Sequence, residues 1–567
     1  MFGRSKRVKK PISKTRRIVR RVFRIIGALI LLLLIAAGIT VGPTGFRYLY
    51  RNWDTGYKKV DTTLTAEQKL KDLDYMYELA CLQNPRKELF EQAYGISYDD
   101  VYKKYRELTL NTKSEYEFLA LLTCFISDLP GEHNIMKLPD YQLNAAYSSF
   151  SMGDVYGTQD VKNYYYSWKE AFREEVKKYI GYNAIIFGYV DGKYICAAPA
   201  QTYKNNNTDY VGGQIISLNG KDPKDMCFDF FERYHPTCDS GNNCYFRQTL
   251  IFNDGTGVKY DAEILMPDGK VVKTVLYDDP AFDLTYSEAA KSYPELYDIP
   301  KQDSETKVTD VMSDDYVPET YKITTDKDRK LVYLFLVACD PSEGDRLARD
   351  LQKALDEVNA ENVIIDLRSN GGGTTSFAYK QLLPVLFSHD VDFAPRYVGK
   401  LNKYTNRFKK LVNRMIIADD GKIEFKDGYF YYSENFSVKG QATKNYKIYV
   451  LTSQHTFSTA DIITALCKEY DNAVIVGTNT AGEGIGGSPV NCVLPESRFG
   501  FVYVPTVNEK YPEDGFKGID PDIYVHSSVE EYYISTNLEA GGKSAGSYEA
   551  RQKWDKTVIE VLKMIDS

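Results

Sequence analysis

The chain has 567 residues, too many for one ordinary core, and roughly 150 residues per domain points to three or four units. Net charge is −7, but residues 1–24 hold eleven Lys or Arg and no Asp or Glu, so the remainder carries −18. An acidic body excludes nucleic acid as a partner, because phosphate binding needs clustered cations. The nine cysteines form no C-x-x-C pair and no metal spacing with the five histidines, so no metal or cofactor is expected.

In chain order, a basic tail (1–21) comes first. From Val22 to Gly42 the chain then reads VFRIIGALILLLLIAAGITVG, with Arg24 as its one charge. About 20 apolar residues span a bilayer. The flanking cations belong on the cytoplasmic side, which puts everything after Gly42 outside the cytoplasm. A cleaved leader would have a shorter apolar run, and the small-residue site near Ala36-Ala37-Gly38 lies inside this one. A single-pass membrane anchor is therefore expected at 22–42.

Residues 43–183 are expected to be helical. Thr65 with Gln68, and Ser114 with Glu117, form capping-box patterns ahead of apolar residues at helical spacing. The second helix runs into the polar turn SDLPGEHNIM, which carries His133. Residues 184–285 switch to strand-like runs, with turn signals at Asn219-Gly220 and Asp268-Gly269. Cys238 and Cys244 are close enough in sequence for a disulfide if the compartment is oxidising. Residues 286–329 are polar and read as a linker.

From Lys330 to about residue 540 strands alternate with helices, which implies an α/β layer structure. The expected strands are LVYLFLVA, NVIIDL, YKIYVLTS, NAVIVGT and FGFVYVPT. Leu347, Leu351, Leu355 and Val358 mark one helix face. Residues 541–567 read as a linker and a last short helix, 552–565. In α/β sheets, sites gather beyond the carboxyl ends of strands. Two loops lie there, RSNGGGTTS and QHTFSTAD. Ser458 follows a strand and opens a helix, so it is either a nucleophile at an exposed turn or an ordinary helix N-cap. Gly371-Gly372-Gly373 is either a flexible turn or bare backbone that donates N–H groups to an oxyanion. A serine nucleophile needs a base. His455 is near in sequence and His133 is more than 300 residues away.

These pieces together resemble the tail-specific, carboxyl-terminal processing serine peptidase family. Asp366-Leu367-Arg368-Ser369-Asn370-Gly371-Gly372-Gly373 matches its D-L-R-x-N-x-G-G signature. Thr456-Phe457-Ser458-Thr459-Ala460-Asp461 looks like its T-x-S-A-x-E nucleophile turn. Ile475 to Gly482 is similar to its V-G-x-x-T-x-G stretch, and Gly518-Ile519-Asp520-Pro521-Asp522 matches its closing G-I-x-P-D. Upstream, VGGQIISLNGKDP resembles the PDZ-like domain that often precedes this core. The resemblance implies a crotonase-like α/β fold over 330–540 and a Ser458 acyl-enzyme acting on protein or peptide substrates. Gly372 and Thr459 would supply oxyanion amides.

One departure decides the base. The processing enzymes place a Lys where this chain has Glu483, and a carboxylate cannot replace that amine. The tricorn-like branch of the family uses a His instead, in a D-G-H-T motif. LPGEH departs from that motif, yet it makes His133 the implied base, oriented by Glu483 or by Asp514. The rival expectation is a homologue that kept the fold as a peptide-binding protein and lost catalysis. A non-proteolytic hydrolase using the same serine is a third.

Overall fold

The computed structural model describes residues 58–131, 133–137, 158–196, 209–286, 320–401, 423–471, 473–484, 487, 489–510, 517–529, 531–532 and 547–567. The expected membrane span at 22–42 and Asp514 lie outside them. Among the described residues no helix is long and apolar enough to cross a membrane.

The first region is built of helices Ala66–Tyr77, Lys87–Tyr94, Tyr98–Leu110, Glu115–Asp128 and Thr158–Val176. The Thr65–Gln68 capping box forms in full. Ser114 caps the helix that begins at Glu115 by accepting the Glu117 N–H. That helix is apolar nearly all round and buried throughout most of its length, as expected for an element at the centre of a core. This region is tied by direct contacts to the part of the chain that carries the α/β sheet. The Asp72 carboxylate accepts the N–H groups of Glu496 and Ser497 at 2.8 Å each. Trp168 Nε1 donates to Ser497 O at 2.9 Å. Directly after His133, Ile135–Lys137 pairs antiparallel with Gly500–Tyr503.

That pairing corrects the reading of FGFVYVPT. Its strand, Gly500–Tyr503, does not join the α/β sheet. It is the middle of a separate three-stranded sheet between Ile135–Lys137 and Val490–Val493. Its four residues are buried on both faces, so periodicity could not tell it from a parallel-sheet strand.

Six strands, Ala184–Val190, Lys193–Ile195, Gln214–Leu218, Thr249–Asn253, Val258–Leu265 and Val271–Asp278, form a closed barrel, joined by a small ribbon of Thr237–Asp239 and Cys244–Phe246. Both turn signals hold. Asn219 and Gly220 take positive φ at one turn, and Gly269 at the hairpin of Val258–Leu265 with Val271–Asp278. The suggested Cys238–Cys244 disulfide is absent and both are free thiols. In the ribbon Cys238 faces Tyr245 and Cys244 faces Asp239. They are thus one register step apart and point to opposite faces.

The main sheet has six strands in the order Tyr321–Asp326, Leu331–Leu336, Asn362–Asp366, Lys447–Thr452, Val474–Gly477 and Ile523–Tyr524. All pairs are parallel except the first. The opening strand falls inside the segment expected to be a linker (286–329), so the core begins before residue 330. Its sequence, YKITTD, is polar because it is a half-exposed edge strand. The helix Pro341–Glu357 packs Leu347, Leu351 and Leu355 onto one face of the sheet. On the other face lie Tyr548, Val558, Val561 and Leu562. They belong to two helices, Tyr548–Trp554 and Lys556–Asp566, rather than the single one expected. Asp555 divides them by capping the second.

Candidate active site

The central strand Lys447–Thr452 is buried on both faces and delivers the chain to the turn Ser453–Phe457. Three bonds fix that turn to the neighbouring strand end. Ser453 Oγ donates to Arg368 O at 2.6 Å, Thr456 Oγ1 to Leu367 O at 2.9 Å, and Phe457 N–H to Asn370 O at 3.1 Å. Ser458 follows with φ 57° and ψ −121°, a backbone that L-residues avoid. Such strain costs on the order of 1–3 kcal/mol and persists only where the surroundings enforce it. Ser458 occupies the N-cap position of helix Thr459–Tyr470, but its side chain makes no capping bond. The capping explanation for this serine therefore falls.

Instead Ser458 Oγ lies 3.3 Å from His133 Nε2, and His133 Nδ1 lies 3.2 Å from Glu483 Oε2. Residues separated by 325 and 350 positions thus form one chain of contacts. The His133 ring packs over Phe457, with centroids 4.6 Å apart. Glu483, like Ser458, is held at positive φ, 56°. Its side chain is fully buried, and its other oxygen, Oε1, meets Arg86 Nη2 at 2.8 Å. Arg86 is also fully buried, at the start of helix Lys87–Tyr94. No feature of CLQNPRKELF marks it out in the sequence. A buried carboxylate needs a cation, but which one is settled only by the fold. No lysine amine bonds Ser458 among the described residues.

The Gly loop abuts Ser458. A Cβ at Gly372 would come within 2.7 Å of both Phe457 O and Ser458 Cβ, and its φ is +98°. However, the Gly372 N–H, expected at the oxyanion, donates to Asn370 Oδ1 at 2.8 Å. Among the described residues nothing accepts the N–H of Thr459 or of Gly371. Thr459 sits in the first turn of its helix, where amides have no intrahelical partner.

The loop's root is braced by charge. Arg368 holds Asp366 at 2.6 Å and Asp555 at 2.7 Å through Nη2. Burial would raise Asp366, but the adjacent Arg368 outweighs it and holds that carboxyl down at about 2.

A cleft of about 1290 Å³ opens beside Phe457 and Gly371, between the barrel, the main sheet and the last helices. Its wall also includes Asn134, Tyr234, His235 and His455. His455 makes no hydrogen bond to Ser458 among the described residues. Burial pushes the His235 imidazole well below its usual range, which keeps it neutral. Among the described residues no group of three or more His, Cys, Asp or Glu could hold a metal ion.

Residues 333–525 match the family model described as peptidase family S41. No curated protein matches the chain. Among solved structures, mature CPAF aligns at 15% identity and TM-score 0.49, covering 89% of this chain and 98% of its own. The photosystem II D1 C-terminal processing protease aligns at 13% identity and TM-score 0.34, covering 86% and 99%. The tricorn protease aligns at 14% identity and TM-score 0.28, covering 89% of this chain and 37% of its own.

Proposed function

We propose that this chain, whose residues 333–525 match peptidase family S41, is a serine-type peptidase acting on protein or peptide substrates, with Ser458 as its nucleophile, His133 as the base and Glu483 as the acid that orients it. The observation that supports this reading is the contact chain Ser458–His133–Glu483 at 3.3 and 3.2 Å. His133 Nε2 takes the Ser458 proton as Oγ attacks the substrate carbonyl, then returns it to the leaving amine. The Nδ1–H donates to Glu483 throughout, which fixes the tautomer and stabilises the imidazolium. Thr459 N–H is one oxyanion donor. The second is Gly371 N–H, or Gly372 N–H after Asn370 releases it.

Labelling of the wild-type protein by a fluorophosphonate tests the reading. A covalent adduct on Ser458 is expected. No labelling, together with no hydrolysis across a broad peptide library, would favour the catalytically inactive peptide-binding homologue.

His133 and His455 are distinguished by substitution. His133→Ala is expected to lose most activity while the melting curve is kept, and His455→Ala to be mild. The opposite ranking in a steady-state assay would move the base to His455.

The finer topology is part of the same proposal. Residues 22–42 anchor the enzyme, with 1–21 in the cytoplasm and the catalytic region outside it, as the cation bias directs. Protease added to intact cells or spheroplasts should digest residues 60–567 and spare the N-terminus. Protection of the catalytic region would overturn the assignment. The barrel 184–285 serves as the PDZ-like, peptide-binding unit. Peptide binding by strand addition needs an open edge. The one register pair that closes this barrel between Thr249–Asn253 and Val271–Asp278 is Asn253↔Tyr277.

A further inference from the structure

We propose that Asp461 is a positioning residue that grips the turn on both sides of Glu483 and so aims the Glu483 carboxylate at His133. The inference rests on the catalytic reading of Ser458, His133 and Glu483.

Asp461 lies in the first turn of helix Thr459–Tyr470, three residues after the nucleophile, and has no exposed surface. Its Oδ1 accepts the Thr480 hydroxyl at 2.5 Å. Thr480 Oγ1 in turn accepts the Ile519 N–H at 2.7 Å, and Thr480 N–H donates to Ile519 O at 3.0 Å. The carboxyl therefore ties the nucleophile helix to Thr480 and, through it, to the Gly518–Asp522 loop. On the far side of Glu483, Gly484 packs against the same carboxyl. A Cβ there would lie 2.8 Å from Asp461 Oδ2 and 2.4 Å from Ser458 O. The Gly484 amide pulls on the carboxyl but does not complete a hydrogen bond to Oδ2. Glu483 stands between these two contacts at φ 56°. A residue held in left-handed backbone needs such bracing from its neighbours. Without the grip the turn relaxes, and a shift of about 1 Å at a catalytic group can cost on the order of 100-fold.

The grip also depends on charge. Among the described residues, the ionisable group whose charge acts on Asp461 is Glu483. Arg86 and His133 make their ion pairs with Glu483. Asp520 and Asp522, on the loop behind Thr480, pair with Lys517 and Lys468. Burial, with the Glu483 charge added, pushes Asp461 up to about 7 against the pull of Thr480 and Gly484. Neutral Asp461 lies quietly beside the Glu483 anion. Ionised Asp461 repels it, so the turn loosens as pH rises through about 7. The folded-state value lies above the unfolded one. The stability this group contributes is therefore full at low pH and lost as pH rises towards 7.

The experiment compares wild type, Asp461→Asn and Asp461→Ala in kcat, KM and pH profile, with fluorophosphonate labelling of wild type as the control on Ser458. Asp461→Ala should lose on the order of 100-fold in kcat with KM kept. Asp461→Asn is neutral at every pH and still accepts from Thr480. It should stay within about tenfold of wild type near pH 6 and hold its activity at alkaline pH where wild type declines. If Asp461→Ala does not fold, the alkaline limb of Asp461→Asn decides alone. An Asn variant that shares the wild-type alkaline decline overturns the inference, as does an Ala variant with wild-type kcat. An unlabelled, inactive wild type would instead overturn the catalytic reading itself.

Discussion

Ser458→Ala should abolish acyl-enzyme formation and lower kcat on the order of a millionfold, the scale at which a nucleophile acts together with its base. Its stability should change by no more than about 0.5 kcal/mol, because the side chain caps nothing and is only half-buried. A capping serine would behave differently, since its loss costs about 1 kcal/mol. Ser458→Gly sharpens the contrast. At φ 57° and ψ −121° glycine is at ease where serine is strained. That variant should be equally dead yet more stable, by about 1 kcal/mol. Ser458→Thr places a β-branched residue in the same backbone and should be both inactive and less stable. The measurements are fluorophosphonate labelling and a denaturant melt of each variant. Labelling that survives in Ser458→Ala would put the nucleophile elsewhere.

Arg86→Met is expected to have the largest effect on stability. Arg86 and Glu483 are both fully buried and paired at 2.8 Å. Removing one partner strands the other charge in low dielectric, at about 3–5 kcal/mol. Glu483 would escape that penalty by taking a proton, and a neutral acid cannot hold the His133 imidazolium. Activity should therefore fall as well, on the order of 100-fold or more. Glu483→Gln in the Arg86→Met background removes the stranded charge. Stability should then recover in part, while activity stays low. A double-mutant cycle read by melts and by kcat/KM separates the two effects. Full activity and unchanged stability in Arg86→Met would show that the ion pair does nothing for the site.

The Ser458 turn and the Gly loop beside it were legible in the sequence because they are local. Ser458 and Gly371–Gly373 follow strands whose apolar runs are plain. The swap of lysine for Glu483 forced the search for a distant histidine. Arg86 was invisible for the opposite reason, since an arginine in a polar loop announces nothing until the fold covers it. Periodicity failed wherever local polarity and tertiary position disagreed. The polar edge strand Tyr321–Asp326 looked like linker. The doubly buried Gly500–Tyr503 looked like a member of the α/β sheet, when it in fact supports the strand that follows His133. The Gly372 amide was expected to be available from its motif alone, but the Asn370 side chain two residues earlier takes it.

The long sequence separations within the site bear on how the enzyme acquires activity. Contacts spanning 325 and 350 residues close very large loops. Such contacts form late, because loop-closure entropy must be overcome before they contribute any stability. A chain that has folded only its α/β core carries Ser458 and Glu483 but neither His133 nor Arg86. On the proposed reading, its serine has no base. If His133 is the base as proposed, hydrolysis requires the helical region to have docked, because only then do the contacts from His133 to Ser458 and Glu483 exist.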